Sequence, residues 1–152
     1  MLALIAVAAG LKARYRGEAP ASLSPASCDS SLWEHVYQKH RLQVLTDCTA
    51  VEGRVANVRR SEDGDLHVAL EPHDKSVLNL INVVHAHGTL VVEAVCEHPP
   101  EAAEAQQACA NFQSQVTVPK PGDWVRVTGA YVSDADNDWR EVHPVSRIEI
   151  LR

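Results

Sequence analysis

The strongest constraint on the fold lies between residues 49 and 71. Two runs with alternating apolar side chains flank the turn Ser61-Glu62-Asp63-Gly64-Asp65. In residues 49–60, Val51, Gly53 and Val55 share one side; in 66–71, Leu66, Val68 and Leu70 do, leaving His67 and Glu71 opposite. A period of two puts successive side chains on opposite faces of a strand, and Asp-Gly is a strong hairpin signal. The segment therefore predicts an antiparallel hairpin with one buried face. Gly53 marks a bend or bulge within it.

Three further strands are predicted at 89–96 (TLVVEAVC), 124–134 (WVRVTGAYVSD) and 139–151 (WREVHPVSRIEIL). The acidic residues 135–138 form a turn between the last two. A short helix is expected near 77–82. Residues 99–112 (PPEAAEAQQACANF) combine proline at the start with alanine, glutamate and glutamine, which predicts a helix of about three turns. The order β-β-β-α-β-β gives a mainly β fold: a five-stranded OB-fold-like Greek-key barrel with one helix between strands 3 and 4. An SH3-like barrel or a sandwich offers no place for that helix.

The last strand contains His143-Pro144, and proline cannot donate to a ladder. Val142, Ile148 and Ile150 fit one inward face, whereas Val145 falls out of phase. A change of register near Pro144 is therefore expected.

At 152 residues the chain fits one domain. It divides into a leader or short anchor at 1–27, a cysteine-bounded N-terminal arm at 28–48 and the barrel at 49–152. The apolar run 2–11 is too short to span a bilayer as a helix and suits the apolar region of an export signal. Small-residue cleavage sites occur at Ala6-Val7-Ala8 and Ala19-Pro20-Ala21. No integral membrane domain is expected beyond that anchor.

Cys28, Cys48, Cys96 and Cys109 form an even set without a CxxC pair, which disfavours zinc ribbons and thioredoxin-like motifs. With an export leader, they are candidates for disulfides. Three pairings are open; the sequence-local one is Cys28–Cys48 with Cys96–Cys109.

The formal net charge of −6 disfavours nucleic acid as a partner, because sequence-independent binding draws its affinity from Lys and Arg at phosphates. Chemistry-bearing residues are sparse in pattern but rich in histidine, with eight in the chain. In extended segments His85 and His87 point the same way, as do Glu141 and His143. Each pair is half of a candidate metal site, and Glu93 supplies a further ligand if it faces the same cleft. Imidazole with carboxylate suits zinc or a similar divalent ion, though no HExxH or other known ligand spacing is present. Trp139 joins the ligand-binding candidates through its stacking capacity. No GxSxG elbow and no tuned pair of carboxylates is found, so no catalytic residue is assigned.

The runs LWEHVYQKHRLQVLTDCTAVEGRV, HGTLVVEAVC and GDWVRVTGAYVSDADNDWREVHPVSRIEIL resemble a group of bacterial exported proteins of unknown function. The similarity spans about 28–151, and its last strand resembles the ending of OB-like domains of the nucleic-acid-binding type. The resemblance implies an exported OB-like protein and no particular chemistry. The expected function is a non-catalytic binding module for a small ligand or protein. The alternatives are a metal-binding protein or metal-dependent hydrolase using His85, His87, Glu141 and His143, and a single-stranded nucleic-acid binder.

Overall fold

The computed structural model describes residues 27–151. The apolar run 2–11 and the candidate cleavage sites lie outside the described residues. Five strands form the body: β1 (Leu42–Arg60), β2 (Leu66–Pro72), β3 (Leu90–Ala94), β4 (Trp124–Asp134) and β5 (Arg140–Ile150). They close into a ring in the order β1-β2-β3-β5-β4, with β4 returning to β1. All pairings are antiparallel except β3 with β5, which run parallel. Closure removes the open sheet edges that would otherwise template aggregation.

The alternation read from the sequence decides what fills the ring. Val51 and Val55, Leu66, Val68 and Leu70, Leu90, Val92 and Ala94, Val125 and Val127, and Val142, Val145 and Ile148 form one apolar core. Ile150, expected inward, is 47% exposed because it lies at the end of β5 beyond this core. β1 is longer than the expected 49–60, because the extended residues after the arm's helical turns continue into the same strand. Its first part pairs with β4 and its last part with β2, and Gly53 pairs with both Val125 and Pro72. A side chain at Gly53 would collide with the Glu71 carbonyl, so the crossing of β1 requires glycine there.

The expected irregularity in β5 is present. Gly129 opposes Val145 and Tyr131 opposes Val142, so His143 and Pro144 together face the single residue Ala130. This bulge lets both Val142 and Val145 reach the core and places proline where no ladder donor is needed. Gly129 accommodates it, because a Cβ there would lie 2.5 Å from the Pro144 carbonyl oxygen.

The connection between β3 and β4 holds one short 3-10 turn, Ala103–Ala105, in place of three α-helical turns. The physical reason is the Cys96–Cys109 disulfide, which holds its Cα atoms 5.5 Å apart across 13 residues. An α-helix of that length would separate them by about 20 Å. Between β2 and β3 the short helix falls at α1 (Leu80–Val84), slightly later than expected, where Asn79 and Asn82 form a reciprocal capping box. Buried Asn82 then donates to the Thr89 and Arg140 carbonyls and accepts from Arg140 N–H, tying α1 to the start of β5.

The arm begins with a 3-10 helix, Ser30–His35, capped by the Asp29 side chain. Its Leu32 and Val36 pack on Val95 and Cys96, outside the barrel core. His35 stacks on Phe112 with ring centroids 3.9 Å apart, and its Nδ1 lies 2.8 Å from the Ala108 carbonyl oxygen. Asp29 N–H donates to Ser146 on β5. The Cys28–Cys48 disulfide closes the arm onto β1. Of the three pairings open to the sequence, the local one is formed, and two such bonds persist in an oxidising environment. Among the described residues no helix is long and apolar enough to cross a membrane.

Candidate functional site

The side chains that alternate with the core residues of β2, β3 and β5 build the site. Glu93 lies between core residues Val92 and Ala94 on β3, opposite His67 on β2. Glu141 precedes core residue Val142 on β5, and His143 follows it at the bulge. By the period of two, Glu93, His67 and Glu141 occupy the outer face of the barrel. Glu93, Glu141 and His143 are nonetheless buried, at 2%, 0% and 0% exposure. The arm supplies cover, and its Arg41 reaches Glu93 at 3.7 Å and also pairs with Asp134 at the end of β4.

His143 is the centre of this polar layer. Its Nδ1 lies 3.0 Å from Glu93 Oε2 and 3.3 Å from Glu141 Oε2, and its Nε2 lies 3.8 Å from Asp65 Oδ2. Asp65 emerges from the Asp63-Gly64 turn, and its other oxygen accepts from Cys96 N–H. The four buried carboxylates Asp65, Glu93, Asp134 and Glu141 have Arg41 as the one permanent cation within ion-pair distance, among the described residues. The layer is thus short of positive charge.

Titration behaviour follows from that shortage. Burial alone would depress the His143 imidazole, but the Glu93 charge and the hydrogen bonds to Glu141 and Glu93 overcome it and raise its pKa to about 10. Burial would raise the Glu93 carboxyl, but His143, His67 and Arg41 hold it well below the usual carboxylate range. Burial dominates for Asp65, raised to about 7, and for Glu141, which is also raised. Burial lowers His67 despite the nearby Glu93 charge.

Two clefts open beside the layer and share Arg59, His67 and Trp139. One, of about 310 Å³, runs past Arg41, Glu93, Asp63 and Asp136. The other, of about 220 Å³, is lined by Asn57, Arg59, His67, Ala69, His85, Ala86, His87, Thr89, Val91 and Trp139, with Val68 behind them, and no carboxylate belongs to it. Arg59 Nη2 lies 2.8 Å from His67 Nδ1. A guanidinium only donates, so Nδ1 accepts, the imidazole proton sits on Nε2, and that buried N–H has no protein partner.

The six residues singled out from sequence sort into two groups. His85 and His87 are exposed on the loop after α1, where His87 and Gly88 adopt positive φ, and they line the carboxylate-free cleft. Glu93, Glu141 and His143 gather in the buried layer instead, and His143 does not line the cleft of His85 and His87. Trp139 joins the groups: it lines both clefts, and its indole N–H donates to Glu141. No sequence pattern marks Asp65, Arg41, Arg59 or Asp134 as a site residue. Asp65 was hidden in a turn motif, and Arg41 lay in the arm, whose placement no local pattern encodes. The outward parity of His67 was the available signal for that side chain. No protein-family model matches the chain, and no curated protein matches it.

Proposed function

We propose that the chain is an exported OB-fold-like protein acting as a non-catalytic binding module, and that its ligand is a small anion carrying a planar ring. The strand order of the closed barrel and the helical turn between β3 and β4 support the OB-type reading. The two disulfides support export. The outer face over strands 2 and 3 is a habitual ligand face of that fold, and here it carries the carboxylate-free cleft.

The observation that carries the reading is the lining of this cleft. In a chain of net charge −6, it assembles Arg59, His67, His85, His87 and Trp139 with no acidic residue. Arg59 offers donors to a phosphate or carboxylate, His85 and His87 add exposed imidazoles beside it, and Trp139 offers an aromatic surface. A volume of about 220 Å³ suits a small molecule better than a polymer.

Calorimetric titration with phenyl phosphate, and separately with a short oligothymidylate at low salt, tests this. Saturable one-to-one binding of phenyl phosphate that weakens in Arg59→Ala is expected. Phenyl phosphate binding that is absent, or indifferent to Arg59→Ala, overturns the reading. Binding of oligothymidylate alone, falling steeply with salt, replaces it with the nucleic-acid reading.

A further inference from the structure

The buried layer has a property that the open cleft does not use. Asp65, Glu93 and His143 each bring one ligand-capable atom to within 4.8 Å of the others. They are 3%, 2% and 0% exposed, so they are not a loose surface cluster. His143 Nε2 is fully buried, faces Asp65 Oδ2 at 3.8 Å and has no hydrogen-bond partner. A buried nitrogen without a partner carries its full desolvation cost, so it calls for an occupant.

We infer that Asp65, Glu93 and His143 form a binding site for a divalent transition-metal ion, ligated by His143 through Nε2 and by one oxygen of each carboxylate. The opposite ring nitrogen is already held: Glu141 Oε2 lies 3.3 Å from Nδ1, and Glu141 is itself anchored by the Trp139 indole, whereas Glu93 Oε2, 3.0 Å from the same Nδ1, has to turn toward Nε2 to reach the ion. A carboxylate on the far nitrogen is how proteins orient a metal-binding imidazole and fix its tautomer. Donors at about 2.1 Å from one ion lie roughly 3 to 3.5 Å apart, so the Asp65–His143 contact has to shorten by about 0.5 Å, and a pair near the 4.8 Å limit of the cluster by somewhat more than about 1 Å.

Charge points the same way. A dication at Nε2 would take the place of the positive charge that protonated His143 supplies to Asp65, Glu93 and Glu141 in the metal-free protein. One imidazole and two carboxylates suit zinc, manganese or ferrous ions. An all-oxygen set would favour magnesium or calcium, and a thiolate set would favour copper(I). This site is separate from the cleft of His85 and His87 and stands whether or not that cleft binds an anion.

The test uses untagged, disulfide-bonded protein stripped with chelator and titrated with Zn²⁺. One equivalent is expected to bind, at least tenfold more weakly in Asp65→Asn and in Glu93→Gln, and unchanged in a His85→Gln/His87→Gln double variant. Asp65→Asn retains an oxygen for Cys96 N–H, so its fold is expected to survive. Titration of the wild type with Co²⁺ gives a readout that needs no variant: a visible absorption band of a four- or five-coordinate site is expected. No stoichiometric binding, a six-coordinate aqueous-type Co²⁺ spectrum, or loss of binding in the His85/His87 variant with retention in Asp65→Asn each overturns the inference.

Discussion

His143 Nδ1 on β5 lies 3.0 Å from Glu93 Oε2 on β3, with neither residue more than 2% exposed. Parallel pairing of these two strands makes the contact, since Val91 and Val92 register with Glu141 and Val142. A fully buried imidazole in ion-pair contact with Asp65, Glu93 and Glu141 couples the stability of this protein to proton concentration.

In chelator-treated protein, His143 keeps its proton when folded up to about pH 10 but loses it near 6.5 when unfolded. Its contribution is therefore complete below 6.5 and is lost as pH rises through about 10. Asp65, raised to about 7 from 3.8, acts in the same sense at lower pH, with its contribution complete below 3.8. His67, whose pKa is lowered, opposes both by favouring the fold once the imidazole is neutral, and lowered Glu93 withdraws its contribution in acid. The urea midpoint is expected to fall between about pH 7 and about pH 10, and His143→Gln is expected to flatten that limb. Urea titrations at several pH values measure it.

Removing the Cys96–Cys109 bridge with paired serines is expected to cost about 3 kcal/mol on the chain-entropy estimate for a loop of this length. The Cys28–Cys48 bridge, spanning 20 residues, is expected to contribute a similar amount, about 3 kcal/mol. Chemical denaturation with and without reductant checks both. Protein exported to an oxidising compartment is expected to show no reactive thiols after denaturation.

Gly129→Ala is expected to destabilise by about 1–3 kcal/mol through overpacking. Its new Cβ would meet the Pro144 carbonyl oxygen at 2.5 Å and Val142 Cγ1 at 2.7 Å, both in the tight bulge of β5. Thermal unfolding reads the change, and Gly88→Ala, with open space around it, is the comparison for glycine loss at positive φ.

In the carboxylate-free cleft, Arg59→Ala is expected to weaken phenyl phosphate about tenfold, or about 1.4 kcal/mol. Trp139→Phe, which retains a ring but loses the indole donor to Glu141, is expected to weaken it less. Titration calorimetry of the two variants separates charge recognition from stacking.

Much of the barrel was legible because local rules governed it. The alternation of Leu66, Val68 and Leu70, the Asp63-Gly64 turn and the out-of-phase Val145 each encode a short-range geometry that the fold keeps. The helix expected over 99–112 follows from propensity, and there a covalent constraint between Cys96 and Cys109 overrides it. The site was half legible. Residue type and strand parity mark Glu93, Glu141 and His143 as chemistry-bearing side chains, and His85 and His87 equally. What joins or parts them is the ring order and the arm, both set by long-range contacts. The pairing of β3 with β5 brings Glu93 to His143, while the loop after α1 carries His85 and His87 to another surface. Arg41 was invisible as a partner because it lies 52 residues from Glu93 in the chain (93 minus 41).

The chain contains three tryptophans, and Trp139 alone among them lines the carboxylate-free cleft. Its indole N–H also donates into the His143 layer through Glu141. Nitrogen–proton correlation spectra of the indole groups during titration with phenyl phosphate therefore report where a ligand sits. A saturable shift of the Trp139 indole signal, with Trp33 and Trp124 stationary and the response lost in Arg59→Ala, is the expected result. Movement of Trp33 or Trp124 with Trp139 unchanged, or no movement at any concentration, would contradict binding at this face.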